Sequence, residues 1–328
     1  MRGARFLATL TSRGLFPGVF IGLFLGLFLG LFGIWATAAA EETKIRVGAI
    51  DAVLATPAGA ERPPVVLLIA GSGSTDHDGN GPQIKPATLR KLSEQLVARN
   101  IATLRFDKRG AGGWKAEFGR PEDFRFKDYV DDASALVSYL RDSGKFGRLV
   151  VAGHSEGGLV AILTARLVPV DGLVLLATAA RRQGDLLKAQ LERTLNPDAY
   201  LAVAKAIDDM MAGQIVDPPP PGLSIPPSMQ PGIASAFSED PIAALKLIVQ
   251  PTLIISGGRD RQVVRLDFAA LSAASSATRT LWLPDMNHVL VDVTDQADDL
   301  AAYNQSDRPL DPALIEAISS FVLGHETR

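Results

Sequence analysis

From Glu41 onward, short apolar runs alternate with longer stretches of helical spacing. Val65-Val66-Leu67-Leu68-Ile69-Ala70 is continuously apolar, as a strand buried on both faces should be. Ile101 to Phe106, Leu149 to Ala152, Gly172 to Ala177, Thr252 to Ser256 and Leu281 to Leu283 read as further strand runs. Lys44 to Ile50 and Ala52 to Thr56 read as two short paired strands. Between these runs, Leu89, Leu92 and Leu96 keep helical spacing, as do Val130, Ala133, Val137 and Leu140, a helix stopped near Gly144. A closing helix runs from Asp311 to about Leu323. Strands alternating with helices predict an α/β fold with a mostly parallel central sheet covered by helices on both faces.

The alternation fails between residues 179 and 250. A helix is expected around Gly184 to Leu195, and a second from Asn196-Pro197, where proline suits the first helical position. A proline-rich segment then runs from Asp217 to Gly232, with Pro218 to Pro221 extended and stiff. Residues 179–250 therefore read as a helical, Pro-rich insertion between two sheet strands, and residues 41–178 and 251–328 as the α/β core. Insertions of this kind commonly act as lids. The apolar positions Leu187, Leu191, Leu201, Met210 and Met211 are expected mainly to form the insertion's own core, since helical spacing alone implies only an apolar face.

Residues 1–40 follow a different pattern. Arg2, Arg5 and Arg13 precede an uncharged stretch from Gly14 to Ala40 that ends in small residues before Glu41-Glu42, the order of an export signal. The apolar part is also long enough to span a bilayer, and Gly18, Gly22, Gly26 and Gly30 lie four apart, on one helix face. Two outcomes fit: a cleaved leader giving a periplasmic or secreted protein, or a retained anchor holding the catalytic domain outside the cytoplasm by membrane association through residues 14–35.

Composition narrows the function classes. The 328 residues are 47% hydrophobic, enough for a sizeable core. A formal charge of −3 with no dense Lys/Arg cluster argues against a nucleic-acid partner. The absence of cysteine excludes disulfides and thiolate metal sites.

One stretch carries chemistry. The apolar run ending at Ala152 meets Gly153-His154-Ser155-Glu156-Gly157, and a second apolar run of helical length follows. Strand, sharp G-x-S-x-G turn and helix together fit a nucleophile elbow with Ser155 at its apex. A serine hydroxyl needs a base, and the base needs a third group to hold its tautomer. There are four histidines. His154 lies inside the elbow, His77 in a glycine-rich loop and His325 in the terminal tail, which leaves His288, just past the last strand run, as the base. Asp260, in Ser256-Gly257-Gly258-Arg259-Asp260, sits at a strand's carboxyl end and is the expected acid; Asp292 is its rival. The order Ser155, Asp260, His288 is that of an α/β-hydrolase triad. An oxyanion needs two donors, expected from the backbone N–H groups of Glu156 and of Ser72 in Gly71-Ser72-Gly73-Ser74. That loop lacks both the G-x-G-x-x-G pattern and a Walker lysine, so phosphate binding is disfavoured. Asp76-His77-Asp78 and Asp285-His288-Asp292 lack the spacing of a hydrolytic metal site.

Taken together, GHSEG, IAGSGSTDHDG, FDKRGAGG, SGGRD and LPDMNHVL resemble an α/β-hydrolase of the serine esterase and S33-type peptidase-like group, over about residues 45 to 325. The resemblance implies the α/β-hydrolase fold, Ser155 as nucleophile, His288 as base, Asp260 as acid, an oxyanion hole at Ser72 and Glu156, and no cofactor. One departure is Ala70, where many relatives have histidine before the glycine. Asp107-Lys108-Arg109-Gly110 is expected to brace the loop beneath the site.

The expected activity is cleavage of a small-molecule carboxylic ester with an apolar acyl or alcohol group, through an acyl-enzyme on Ser155. The same machinery could cleave amides or peptides, or transfer the acyl group to another acceptor. A membrane-anchored binding protein keeping the fold without the chemistry is the alternative from another class.

Overall fold

The computed structural model describes residues 41–112, 120–275 and 278–325. The expected leader or anchor, residues 1–40, lies outside them. Among the described residues, no helix is long and apolar enough to cross a membrane.

The strands are β1 (Glu41–Val47), β2 (Ile50–Thr56), β3 (Val65–Ile69), β4 (Ala102–Phe106), β5 (Leu149–His154), β6 (Gly172–Leu176), β7 (Thr252–Gly257) and β8 (Thr278–Leu283). The helices are α1 (Thr88–Val97), α2 (Phe126–Asp142), α3 (Glu156–Leu167), α4 (Gln183–Leu191), α5 (Pro197–Met211), α6 (Gln230–Phe237), α7 (Pro241–Leu245), α8 (Arg265–Ala274), α9 (Gln296–Ala302) and α10 (Pro312–Leu323). The strands form one sheet in the order β1-β2-β4-β3-β5-β6-β7-β8. The β1–β2 and β2–β4 pairs are antiparallel, and every later pair is parallel.

Side-chain alternation along β3 explains why its sequence is apolar throughout. Val65, Leu67 and Ile69 enter one core with Leu136 of α2 and Leu159 of α3. Val66 and Leu68 enter the opposite core with Leu92 of α1 and Ile318 of α10. With both faces covered, every position of β3 is buried and apolar.

The strand order also fixes where a site can form. The connection from β3 runs through α1 on one face to β4, whereas the connection from β4 runs through α2 on the other face to β5, on the far side of β3. The chain therefore reverses its winding between β3 and β5. A crevice opens there, beyond the carboxyl ends of the strands. Ser72 follows β3 and Ser155 follows β5, so two candidate site residues flank this crevice.

Four helices, α4 to α7, lie between β6 and β7. Asn196 caps α5, its side chain accepting from the Ala199 N–H at 3.0 Å, with Pro197 at the first helical position as expected. Val203, Ala206, Ile207 and Met210 of α5 pack with Leu223 and Phe237 in a small separate core, against which Leu187, Leu191 and Met211 rest. Two expectations need correction. Leu201 is 66% exposed: it lies on the side of α5 that carries Lys205 and Asp208, opposite the buried Val203, Ala206, Ile207 and Met210. The run Pro218 to Pro221, expected to be extended, ends in a turn closed by the Leu223 N–H donating to the Pro220 carbonyl at 3.0 Å; farther along, α6 begins at Gln230, with Pro231 in its first turn, where a missing N–H costs nothing.

Candidate active site

Ser155 sits between β5 and α3 with φ 55° and ψ −120°. This conformation is unfavourable for a side chain bearing a Cβ and costs on the order of 1–3 kcal/mol, so the surroundings must enforce it. They do so by close approach. The Ser155 N–H donates to the Leu176 carbonyl of β6 at 2.8 Å. A Cβ on Gly153 would lie 2.0 Å from the Gly157 carbonyl oxygen, and one on Gly157 would lie 2.4 Å from that of Ile69. Only glycine at both positions lets the elbow close against β3.

His288 and Asp260 come from the loops after β8 and β7. These loops are stitched together by the Gly258 N–H donating to Leu283 at 2.7 Å and the Arg259 N–H donating to Met286 at 3.0 Å. His288 Nδ1 and Asp260 Oδ2 are 2.8 Å apart and both side chains are buried. A carboxylate oxygen accepts, so Nδ1 carries the proton and Nε2 is left as the acceptor of a neutral imidazole. The other Asp260 oxygen accepts the N–H groups of Gln262 and Val263 at 2.7 and 2.9 Å, which fixes the carboxylate. The rival Asp292 is engaged elsewhere: partial desolvation, then a hydrogen bond and repulsion from Asp311, raise its pKa to about 6.

His154 is packed beside this pair. Its Nε2 lies 2.7 Å from the His288 carbonyl, which can only accept, so Nε2 carries the proton and the ring holds the His288 backbone in place. The two rings are 5.0 Å apart. Burial, followed by repulsion from His288, lowers the His154 pKa to about 4, so the ring is neutral near pH 7. Asn287, fully buried, is the second brace: its Oδ1 accepts from Val289 and Val291, and its Nδ2 donates to Asp299 at 2.9 Å.

The loop after β3 packs directly on the serine, since a Cβ on Gly71 would lie 3.3 Å from the Ser155 Cβ. Lys108, 1% exposed, ties this loop to the elbow. Its Nζ donates to the Gly71 carbonyl at 2.8 Å and to Glu156 Oε1 at 2.7 Å, and it lies 4.0 Å from the centre of the Tyr129 ring. Burial works against the ammonium, but the charge of Glu156, the Tyr129 phenol and the hydrogen bond to Glu156 outweigh it, and the Lys108 pKa is raised. The neighbours of Lys108 brace the same region. Asp107 accepts the backbone N–H of His77 at 2.8 Å and faces its Nδ1 at 2.6 Å, while Arg109 forks onto Asp132 at 2.7 and 2.8 Å. Glu156 is the first residue of α3, so its N–H has no partner within the helix and points from the positive end of the dipole.

Two cavities large enough to hold a chemical group meet at Ser155, beside a third space of only about 10 Å³ toward Leu159 and Thr178. The larger, about 640 Å³, is lined by Ser72, Ser155 and Glu156 on its floor and by apolar side chains such as Leu186, Ile233 and Phe237 from α4 and α6. The smaller, about 140 Å³, is lined by Ser72, Ser155 and His288 together with Thr75, His154 and Val289.

Comparison with known proteins bears on the family and the fold. The sequence profile of the alpha/beta hydrolase family matches residues 65–303, from β3 to just beyond α9. The chain belongs to the alpha/beta hydrolase family. Within the family it is 26% identical over 259 residues to esterase EstD of Thermotoga maritima, a match covering 76% of this chain. The chain spans about 60% of the length of that curated relative. Among solved structures, Est1E from Butyrivibrio proteoclasticus superposes with a TM-score of 0.56 at 18% identity, covering 87% of this chain and 98% of that one. A puromycin-hydrolyzing peptidase of Mycobacterium tuberculosis superposes with a TM-score of 0.57 at 15% identity, covering 88% of this chain and 40% of that one. These likenesses show the alpha/beta hydrolase fold.

The structure brings together Asp260 and His288, places Ser155 on the same cavity as His288, and sets Ser72 and Glu156 around the serine. Lys108 was expected to brace the loop; its second bond, to Glu156, lies 48 positions along the chain and has no local signal in the sequence. Asn287 and the bracing role of His154 were also missed, and adjacency to His288 and to Ser155 was the only signal for either.

Proposed function

We propose that this chain is a serine hydrolase that cleaves carboxylic esters by acyl transfer. The reading is carried by the Ser155 backbone, held at φ 55° beside a cavity it shares with the Asp260-paired His288. In this reading the Ser155 hydroxyl proton passes to His288 Nε2 as Oγ attacks the ester carbonyl. Asp260 stabilises the resulting imidazolium, and the N–H groups of Ser72 and Glu156 receive the oxyanion. The imidazolium then protonates the departing alkoxide, and water, activated by the same histidine, hydrolyses the acyl-enzyme. The named activity of EstD supports an ester substrate, and the apolar walls of the larger cavity support an apolar group on it. The helices α4 and α6 act as the cap of this site.

The test is turnover of short p-nitrophenyl esters by the wild type and by Ser155→Ala. The variant is expected to lose about 10⁴ to 10⁶ in kcat. An unchanged rate would refute the assignment.

We further propose that residues 1–40 direct the catalytic domain out of the cytoplasm, as a cleaved leader or as an anchor. The order of basic, apolar and small residues supports this. Fractionation of cells expressing the full chain, with the mature N-terminus read by mass spectrometry, is expected to find the protein outside the cytoplasm. A full-length, soluble cytoplasmic product would contradict it.

A further inference from the structure

The two cavities at Ser155 differ in more than size. Both include Ser72 and Ser155, but only the smaller is lined by His288, and only the larger is lined by Glu156. We infer that the larger cavity receives the acyl part of the ester and the smaller one its alcohol part, so that the substrates are esters of bulky apolar acids with small alcohols. The inference rests on the serine-hydrolase reading above and specifies its substrate.

The chemistry of the two half-reactions carries the assignment. When the tetrahedral intermediate collapses, the bond between the carbonyl carbon and the alcohol oxygen breaks, and the electron pair goes to that oxygen. The proton that His288 took from Ser155 is then delivered to it, so the alcohol oxygen must lie within hydrogen-bond reach of the imidazole. The alcohol is thereby confined to the side of Ser155 that His288 lines. The acyl substituent lies on the other side of the carbonyl carbon, toward the cavity floored by the serine and the Glu156 N–H.

The sizes agree with these roles, while both linings mix polar and apolar groups in similar proportion and share Gln262. At about 640 Å³, the larger space is of the size that encloses a whole small-molecule group, and Leu186, Ile225, Met229, Ile233 and Phe237 give it an apolar wall beside the polar Arg109, Gln183 and Gln190. At about 140 Å³, the smaller space falls well below that range. It is also the chamber that must admit the hydrolytic water once the alcohol has left, and Thr75, Gln262 and His288 give it polar groups suited to one. A large apolar alcohol would have to project out of this chamber into solvent, whereas a large apolar acyl group would be buried.

A pair of isomers separates the two orientations. Methyl 3-phenylpropanoate and 2-phenylethyl acetate have the same atoms and the same phenylethyl group, placed on the acyl side in the first and on the alcohol side in the second. With the full wild-type chain, kcat/KM is expected to favour methyl 3-phenylpropanoate by about tenfold or more, the discrimination a buried apolar group provides. Ala236→Phe, which narrows the larger cavity, is expected to shrink that ratio. Equal rates, or a preference for 2-phenylethyl acetate, would overturn the assignment while leaving the serine hydrolase intact. Labelling of Ser155 by a fluorophosphonate in a protein that hydrolyses neither isomer would likewise overturn it. Absence of labelling together with absence of hydrolysis would remove the serine-hydrolase reading, and this inference with it.

Discussion

The floor of the crevice and the helices above it are built on different physical terms. On the floor, each candidate group is fixed by short polar contacts at the end of a buried strand. Asp260 accepts three hydrogen bonds, His288 is held through both its ring and its carbonyl, and Lys108 bridges the Gly71 loop to Glu156. Above it, α4, α5 and α6 rest on a small apolar core, and the cavity wall they supply offers shape and apolar surface. Directional contacts with no slack suit a reaction sensitive to fractions of an ångström. Apolar contacts, which are non-directional, suit selection among substrates. The floor should therefore set the rate of the chemical step and the helices should set which ester reaches it.

Substitutions test that division, beginning with the largest effect. Asp260→Asn removes the acceptor that fixes the His288 tautomer and should lower kcat by about 10⁴ with little change in fold, read by steady-state kinetics and circular dichroism. Lys108→Met unties the Gly71 loop from Glu156 and strands a carboxylate. It should reduce kcat by roughly 10²-fold with KM less affected, and lower stability by about 3 kcal/mol in chemical denaturation. Adding Glu156→Gln to it should recover part of the stability. If Lys108→Met left kcat unaltered, the floor would be less exacting than its hydrogen bonds imply.

Acid should act on the floor through His154. Its folded pKa, about 4, lies below the ordinary histidine value of 6.5, so the folded state binds fewer protons than the unfolded chain between these two values. Its contribution to stability is full above pH 6.5, declines as pH falls, and is lost below about 4, amounting to about 3 kcal/mol. His154→Gln, which keeps a donor near the His288 carbonyl, should flatten this part of the stability profile measured by denaturant titration from pH 7 to pH 4. The smallest effect belongs to the cavity wall, at Met229 just before α6. Met229→Ala should leave kcat on an acetate ester within about threefold while changing selectivity for larger acyl groups by about tenfold, as loss of apolar contact predicts. A loss of kcat on acetate as large as that of Lys108→Met would break the comparison.

The same division governs how much was legible in the sequence. Ser155, Asp260 and His288 each stand just beyond an apolar strand run, in a short motif whose glycines or position mark a turn, so local pattern located them. Central strands such as β3 and β6 were legible because burial on both faces keeps them apolar throughout. The Lys108 contacts with Gly71 and Glu156 bridge 37 and 48 positions of chain, and nothing in a local pattern encodes such a meeting. In the insertion, periodicity marked apolar faces without saying what would cover them. Leu201 faces solvent, Met210 is core, and of the five positions singled out only Leu187 lines the larger cavity. The cavity wall comes instead from Leu186 and from α6, whose start within a proline-rich segment hid it. Helices α8 and α9 also went unrecognised; they are short, and apolar spacing is weak in both.

The central claim is that Ser155 is a nucleophile activated by His288 and Asp260. It is tested most directly by intact-mass and peptide mapping after reaction with a fluorophosphonate. The account predicts a single adduct, located on Ser155, absent in Ser155→Ala and formed much more slowly in Asp260→Asn. No adduct on Ser155 in a folded protein, or labelling at the same rate without Asp260, would contradict it.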